Sequence, residues 1–203
     1  MTLEIIGIPQ SNFVRTVRMA AHEKGVTYGL NPAAPHSDEV KAIHPFGLVP
    51  VMRHDGLELA ESQAIARYMD SAFEGPALIP AEPRAAAPVN QWMSLVATSV
   101  DRLIMRRYVV EYIFHKDADG NVVRDEIDEA VKRFPRLFEK LSRAVSAGYL
   151  AGNAFSMADC FLVPMLATMQ MFPEGKAQVA DSSAMKDYFH RIAERPSFAA
   201  TAP

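Results

Sequence analysis

Cysteine is nearly absent: the 203 residues contain one, Cys160. A single thiol excludes an internal disulfide and any Cys-x-x-Cys redox or zinc pair, and its apolar neighbours predict a buried, inert side chain. Charge of one sign is missing too, since 21 basic residues against 24 acidic ones leave a formal net charge of -3. That balance offers no field to nucleic acid or to an anionic membrane. No apolar run approaches the roughly 18 residues that a bilayer crossing needs, and MTLEIIGIPQ has no basic segment ahead of its apolar stretch. A cytosolic protein with no nucleic-acid partner and no membrane partner is expected. Metal-ligand spacing is lacking as well. The six histidines form no i, i+4 pair completed by a carboxylate, and DADGN (117–121) has its Gly fourth instead of sixth, with no Glu at position twelve. No metal is expected. What the chain does have is apolar substance, 49% of its residues, enough for one large domain or two modest ones.

The first part reads as α/β. Leu3 to Ile8 is a short apolar run broken by Pro9, and Phe13, Val17, Ala20 and Ala21 follow at helical spacing up to Gly25, a natural C-cap. Val26 to Leu30 reads as a second strand, completing a βαβ unit. Val51 to His54 and Leu57 to Ala60 flank Asp55-Gly56, a hairpin dipeptide, and Ser62 then opens a helix to about Phe73. Gly75 to Pro88 carries four prolines and no clear period, which suits a linker. Beyond it every pattern is helical: Val89 to His115, Arg124 to Ala147, Ser156 to Met171 and Ser183 to Glu194. The expected organisation is residues 1–75, a linker at 76–88, and an all-helical domain over 89–203.

Chemistry concentrates between His44 and Ile65, in HPFGLVPVMRHDGLELAESQAI. Pro50 stands where a strand begins, and a cis Val-Pro bond there would leave the Val49 amide and carbonyl free to pair with an extended peptide ligand. Glu61 and Ser62 stand at a helix N-terminus, where backbone N–H groups and the helix dipole favour a carboxylate while Glu61 can hold an ammonium. The α-amino acid end of a ligand would satisfy both.

PFGLVP and ESQAI, the Pro-rich linker, and YLAGNAFSMAD ahead of a helix together resemble the cytosolic glutathione transferases, in particular the serine-type, phi/theta-like bacterial members. The resemblance covers essentially the whole chain. It implies an α/β plus all-α fold: a thioredoxin-like N-terminal domain (βαβ-α-ββ-α) followed by an all-helical electrophile-binding domain. It also implies a buried capping box between Ser156 and Asp159. Glutathione would be the co-substrate, with Val49 pairing its cysteinyl main chain, Pro50 holding that geometry in cis, and Glu61 with Ser62 receiving the γ-glutamyl end. Lys41, and with less support His36, fall in the segment that meets the glycyl carboxylate. His44 stands where Asn is more usual and reads as structural.

A transferase of this kind presents glutathione as a thiolate. Lowering the thiol pKa from about 8.5 by about two units raises the ionised fraction at pH 7 from roughly 3% to roughly 75%, for about 2.7 kcal/mol. One charge-assisted hydrogen bond contributes about 1.5–3 kcal/mol and a helix N-terminus about 1–2 more, so a single hydroxyl at a helix start is enough. Ser11 matches the serine of the serine-type members, and the Asn12 amide is the alternative donor. No Cys or Tyr stands in this turn, which argues against the thiol-reductase and tyrosine-type branches, and PQSN replaces the serine cluster of the zeta-type isomerases. Phe13, Met105, Arg106, Tyr108 and Tyr112 are positioned for a pocket that takes a small apolar electrophile. Phe46 stands where several classes insert an aromatic key into a partner, which predicts a homodimer. The competing expectation is a non-catalytic module that keeps the fold for binding or protein contacts.

Overall fold

The computed structural model describes residues 3–203. Leu3–Ile6 (β1) ends at Gly7, whose N–H bonds Asn31 O at 2.9 Å. Asn12–Lys24 (α1) ends at Gly25 with φ 70°, and Val26 N–H returns to Ala21 O at 2.8 Å, closing a Schellman-type end that only glycine accepts without strain. Tyr28–Asn31 (β2), Asp38–Ile43 (α2), Val51–His54 (β3), Leu57–Ala60 (β4) and Ser62–Ala72 (α3) follow. The sheet order is β2-β1-β3-β4, with β1 parallel to β2 and the remaining pairs antiparallel. Asp55 and Gly56 both take positive φ, as a tight hairpin turn requires. Ile6 and Val51 pack with Val40 of α2 on one face, with Ile43, Val49 and Ala60 around them. α1 and α3 pack together, burying Val14, Val17, Ile65 and Met69. This is the thioredoxin-like arrangement expected, with β1 ending at Ile6 and β2 starting at Tyr28.

The helical unit begins earlier than the sequence pattern suggests. Pro83–Leu95 (α4) starts inside the proline-rich stretch because the Glu82 carboxylate accepts the Arg84 and Ala85 N–H groups at 2.9 and 2.7 Å, and Pro83 in the first turn has no N–H to lose. The helical course widens to i→i+5 winding over Val96–Val109 and continues as Val110–Phe114 (α5). Arg124 to Ala147 is not one helix. Asp125–Val131 (α6) and Phe134–Ala144 (α7) are separated at the approach to Pro135, which cannot donate an i→i-4 bond. Met157–Met169 (α8), Pro173–Asp181 (α9) and Ser183–Ala193 (α10) complete the unit. α8 is buried nearly all round and packs on the Val96–Val109 segment. At its head the expected capping box is present: the Asp159 carboxylate accepts Ser156 N–H at 2.8 Å, and also Leu150 N–H and the Tyr188 hydroxyl at 2.9 Å each. Burial pushes this carboxyl above the usual carboxylate range, although its donors pull the other way. Cys160 is buried beside it.

Both expected boundaries move. The chain divides at Ala86–Ala87, and Ala193–Pro203 returns to the first unit instead of ending the second. The first shift follows from Asp70. It pairs with buried Lys24 at 3.2 Å and accepts Leu78 and Ile79 N–H at 2.8 and 3.0 Å, tying the start of the expected linker to the sheet domain. The return is held along α1 by Pro196–Ala200 (α11). Arg15 donates to Phe198 O and lies 4.2 Å over the Phe198 ring, Arg18 donates to Thr201 O and Ala200 O, and Arg195 and Ser197 both bond the Glu23 carboxylate. Burial alone would raise the Glu23 pKa, but the Arg195 and Ser197 hydrogen bonds and the Arg195 charge outweigh it and hold Glu23 below the usual carboxylate range. A depressed carboxylate stabilises the fold above its unfolded value, near 4.3, and loses that contribution as pH falls through the folded one. Amide exchange in residues 196–201 is therefore expected to quicken, relative to α1, as pH drops from about 6 to about 3. Glu23→Gln should show the looser segment at both ends of that range and cost about 1 kcal/mol at pH 7. Equal protection of native and variant chains across it would contradict the assignment.

Candidate active site

Sheet register gathers the site. Ile6 pairs with Val51, and Val51 pairs with Ala60, so these three residues lie side by side across β1, β3 and β4. One residue beyond each, at the same end of the sheet, come Gly7 leading to Ser11, Pro50 leading back to Val49, and Glu61 leading to Ser62. Residues distant in sequence are neighbours for that reason alone.

Ser11 is the N-cap of α1, its Oγ accepting Val14 N–H at 3.4 Å. A capping hydroxyl uses a lone pair, so its O–H remains able to donate outward, at the positive end of a thirteen-residue helix. Asn12, the alternative donor, is buried, with its carbonyl accepting from the Thr16 hydroxyl. Phe13 beside it is half-buried.

The Val49–Pro50 bond is cis, as the sequence suggests. Among the described residues neither the N–H nor the C=O of Val49 has a hydrogen-bond partner, so a ligand main chain can supply both. The Val49 side chain is backed by the turn after β1. A Cβ on Gly7, where φ is 148°, would stand 2.5 Å from Val14 Cγ2 and 3.0 Å from Val49 Cβ, so only glycine lets the two segments approach. Gly47 is equally enclosed, by His36 and Lys41, and His36 N–H bonds Gly47 O at 2.7 Å. Both cationic candidates thus flank the turn that leads to Val49, and both are exposed.

α3 begins without a side-chain cap. Its N-cap residue, Glu61, takes φ 71°, unusual for a side chain that large, and Ser62 opens the first turn with its hydroxyl unengaged among the described residues. Uncapped amides plus a hydroxyl are groups that can accept a carboxylate, and the Glu61 carboxylate stands alongside. His44, read from sequence as structural, sits beneath. It is 3% exposed, its Nδ1 accepts Phe46 N–H at 3.1 Å, and its Nε2 lies 3.4 Å from Glu61 Oε1. Phe46 itself is 74% exposed and Leu48 48%.

In the helical unit the pocket candidates separate. Tyr108 is wholly buried, its hydroxyl accepting Gly175 N–H at 2.7 Å and donating to Glu174 at 3.1 Å, and burial first, then Glu174, pushes its pKa above the usual phenol range. Met105 is buried beside it in sequence. Tyr108 lies on the buried side of this helix with Val96, Val100 and Ile104, which recur every fourth residue, so its position in the chain places it in the core and not on a pocket face. Tyr112 keeps some surface, stacked on Phe172 at 4.4 Å and bonded to Glu174 at 2.7 Å, and Arg106 is exposed, paired with Asp101 at 2.9 Å.

Two family models match the chain: "Glutathione S-transferase, N-terminal domain" over residues 5–77 and "Glutathione S-transferase, C-terminal domain" over residues 105–200. A stringent starvation protein A homolog of Pasteurella multocida is 28% identical over 195 residues, covering 92% of this chain and 83% of that protein. Glutathione S-transferase 3 of Zea mays is 28% identical over 212 residues, covering 98% and 92%. The crystal structure of glutathione transferase F7 from Populus trichocarpa superimposes with a TM-score of 0.89 at 26% identity, covering 99% of this chain and 98% of that one.

The enclosure of Gly7 is open to test by urea unfolding. Gly7→Ala is expected to lose about 2 kcal/mol through overpacking against Val14 and Val49. Gly29→Ala, where nothing lies within 4 Å of the added carbon, should stay within about 0.5 kcal/mol of the native chain. Equal effects would mean that the Gly7 approach is slack.

Proposed function

The chain belongs to the glutathione S-transferase family, and from that premise we propose that it binds glutathione at the end of the sheet and presents it as a thiolate. The thiolate serves conjugation to, or reduction of, a small electrophilic or hydroperoxide substrate. The observation that carries this reading is the convergence, on one sheet end, of three groups with bonding capacity left for a ligand: the Ser11 O–H, the Val49 main chain and the uncapped start of α3.

In this reading the cysteinyl segment pairs with the Val49 N–H and C=O, which sets the register of the tripeptide. The γ-glutamyl carboxylate takes the α3 amides and the Ser62 hydroxyl, and its ammonium takes Glu61. Lys41, with His36 nearby, meets the glycyl carboxylate. The sulfur then falls at the head of α1, where the Ser11 O–H donates to it. Buried Asn12 supports that turn, which favours Ser11 as activator. The proton leaves to solvent as the thiolate forms. In conjugation the sulfur electron pair makes the S–C bond, and the displaced group leaves with the pair it shared with carbon. Within the helical unit, Arg106 and Tyr112 are the pocket candidates that retain surface.

A binding module without turnover is the competing reading. It draws support from the similarity to a protein named for starvation and not for transfer, at the same 28% identity as the maize transferase. Titrating the ultraviolet absorbance of bound glutathione thiolate separates the two. The native chain is expected to lower the thiol pKa by about two units, and Ser11→Ala to return it most of the way to about 8.5, with kcat/KM at pH 7 falling at least about tenfold. Asn12→Ala should shift it less. Tight binding with an unshifted thiol would establish the binding module, and failure to bind would remove glutathione from the account.

Exposed Phe46 and Leu48 also support a two-fold homodimer, each Phe46 seated in the partner subunit. Sedimentation of Phe46→Ser is expected to show a dimer dissociation constant at least about tenfold weaker. A monomeric native chain, or a variant that dimerises as well as the native chain, would eliminate that key.

A further inference from the structure

His44 is 3% exposed, and each of its ring nitrogens faces a different neighbour. The Phe46 N–H points at Nδ1 from 3.1 Å. A backbone amide only donates, so Nδ1 is the bare nitrogen and the ring proton sits on Nε2. Nε2 faces Glu61 Oε1 at 3.4 Å, longer than a formed hydrogen bond, and among the described residues no other ionic or hydrogen-bonding group meets that carboxylate. Without it Glu61 is a long, 69% exposed side chain free to sample many rotamers. A neutral imidazole N–H turned toward one carboxylate oxygen leaves the negative charge uncancelled, which a lysine or arginine in the same place would not do. The backbone thus fixes the tautomer, and the tautomer turns an N–H toward the carboxylate.

Resting on the glutathione reading above, we infer that His44 is a positioning residue for the ligand's α-ammonium: it orients Glu61 so that the second carboxylate oxygen receives that cation. The specificity it confers is for a ligand that carries a free amine next to the carboxylate docked on α3. His44 touches neither the sulfur nor the peptide, so its contribution belongs to binding and not to the chemical step.

Two substitutions separate positioning from folding. In His44→Asn the side-chain oxygen takes the place of Nδ1 and keeps the Phe46 N–H, but nothing reaches Glu61. In His44→Gln the amide nitrogen takes the place of Nε2 and keeps Glu61, while the Phe46 N–H loses its acceptor. Calorimetric affinities would be measured for reduced glutathione and for glutaryl-cysteinyl-glycine, which differs only in lacking the α-amino group. His44→Asn is expected to bind glutathione about fivefold more weakly, with KM raised, kcat unchanged and the affinity for the deaminated analogue unchanged. His44→Gln should lower the unfolding midpoint and still prefer glutathione over the analogue as the native chain does. Equal losses for the two ligands in His44→Asn would mean a general structural role, and no loss for either would mean that the contact is idle; both overturn the inference while the glutathione site stands. If the native chain binds neither ligand, the site reading falls, and this inference with it.

Discussion

Ile6, Val51 and Ala60, side by side across three strands, are the constraint on which the site depends. Side chains alternate along a strand, so sliding any one of these strands by a single residue would exchange its core face for its other face. It would also carry Ser11, Val49 or Glu61 out of reach of the other two. The apolar contacts of Ile6 and Val51 with Val40 therefore stabilise the first unit and, through register, hold the geometry of the site. Gly7 contributes by having no side chain at the one point where the turn after β1 meets Val49.

Three helix starts in this molecule show how one physical problem, unpaired amides at a helix N-terminus, receives different answers. α8 solves it internally, through the Ser156–Asp159 capping box, whose buried carboxylate also takes the Leu150 N–H of the preceding loop. α1 solves it with one serine that still has a proton to donate. α3 leaves it open, with a glutamate in a strained conformation at its head. A closed start adds to the fold; an open one near a free main-chain edge is what a zwitterionic ligand needs. His44 lies where these two demands meet, hydrogen-bonded on one side to the backbone that shapes the loop and facing, at 3.4 Å, the glutamate that points outward.

Much of this was legible in the chain because it is local. The Asp55-Gly56 hairpin, the Gly25 helix end, the cis bond before Pro50 and the Ser156–Asp159 box each depend on residues within a few positions of one another, and all are found. Ser11 caps α1 for the same reason, whereas Ser62, expected to cap α3, is its first residue behind Glu61 and caps nothing. The misread parts depend on distant partners. Asp70 holding Leu78 and Ile79, and α11 returning to α1 through Arg15, Arg18 and Glu23, involve groups up to 183 residues apart. No local pattern announces them. Tyr108 was placed on a pocket face by position, and its hydroxyl instead meets Glu174 and the Gly175 N–H, groups 66 and 67 residues away, in the core.

By itself, then, the sequence determined the kinds of element, the caps that start and stop them, and the residue types available for binding a peptide with charged ends, because these follow from backbone preferences and side-chain chemistry over short spans. Only the tertiary structure decided which of those residues meet. Register across β1, β3 and β4 made neighbours of Gly7, Pro50 and Glu61, and burial turned His44 from an unexpected residue before a proline into a ring with a fixed tautomer. Such contacts arise from the summed packing of a whole domain, in which a histidine's two nitrogens find their partners in segments that carry no mark of one another.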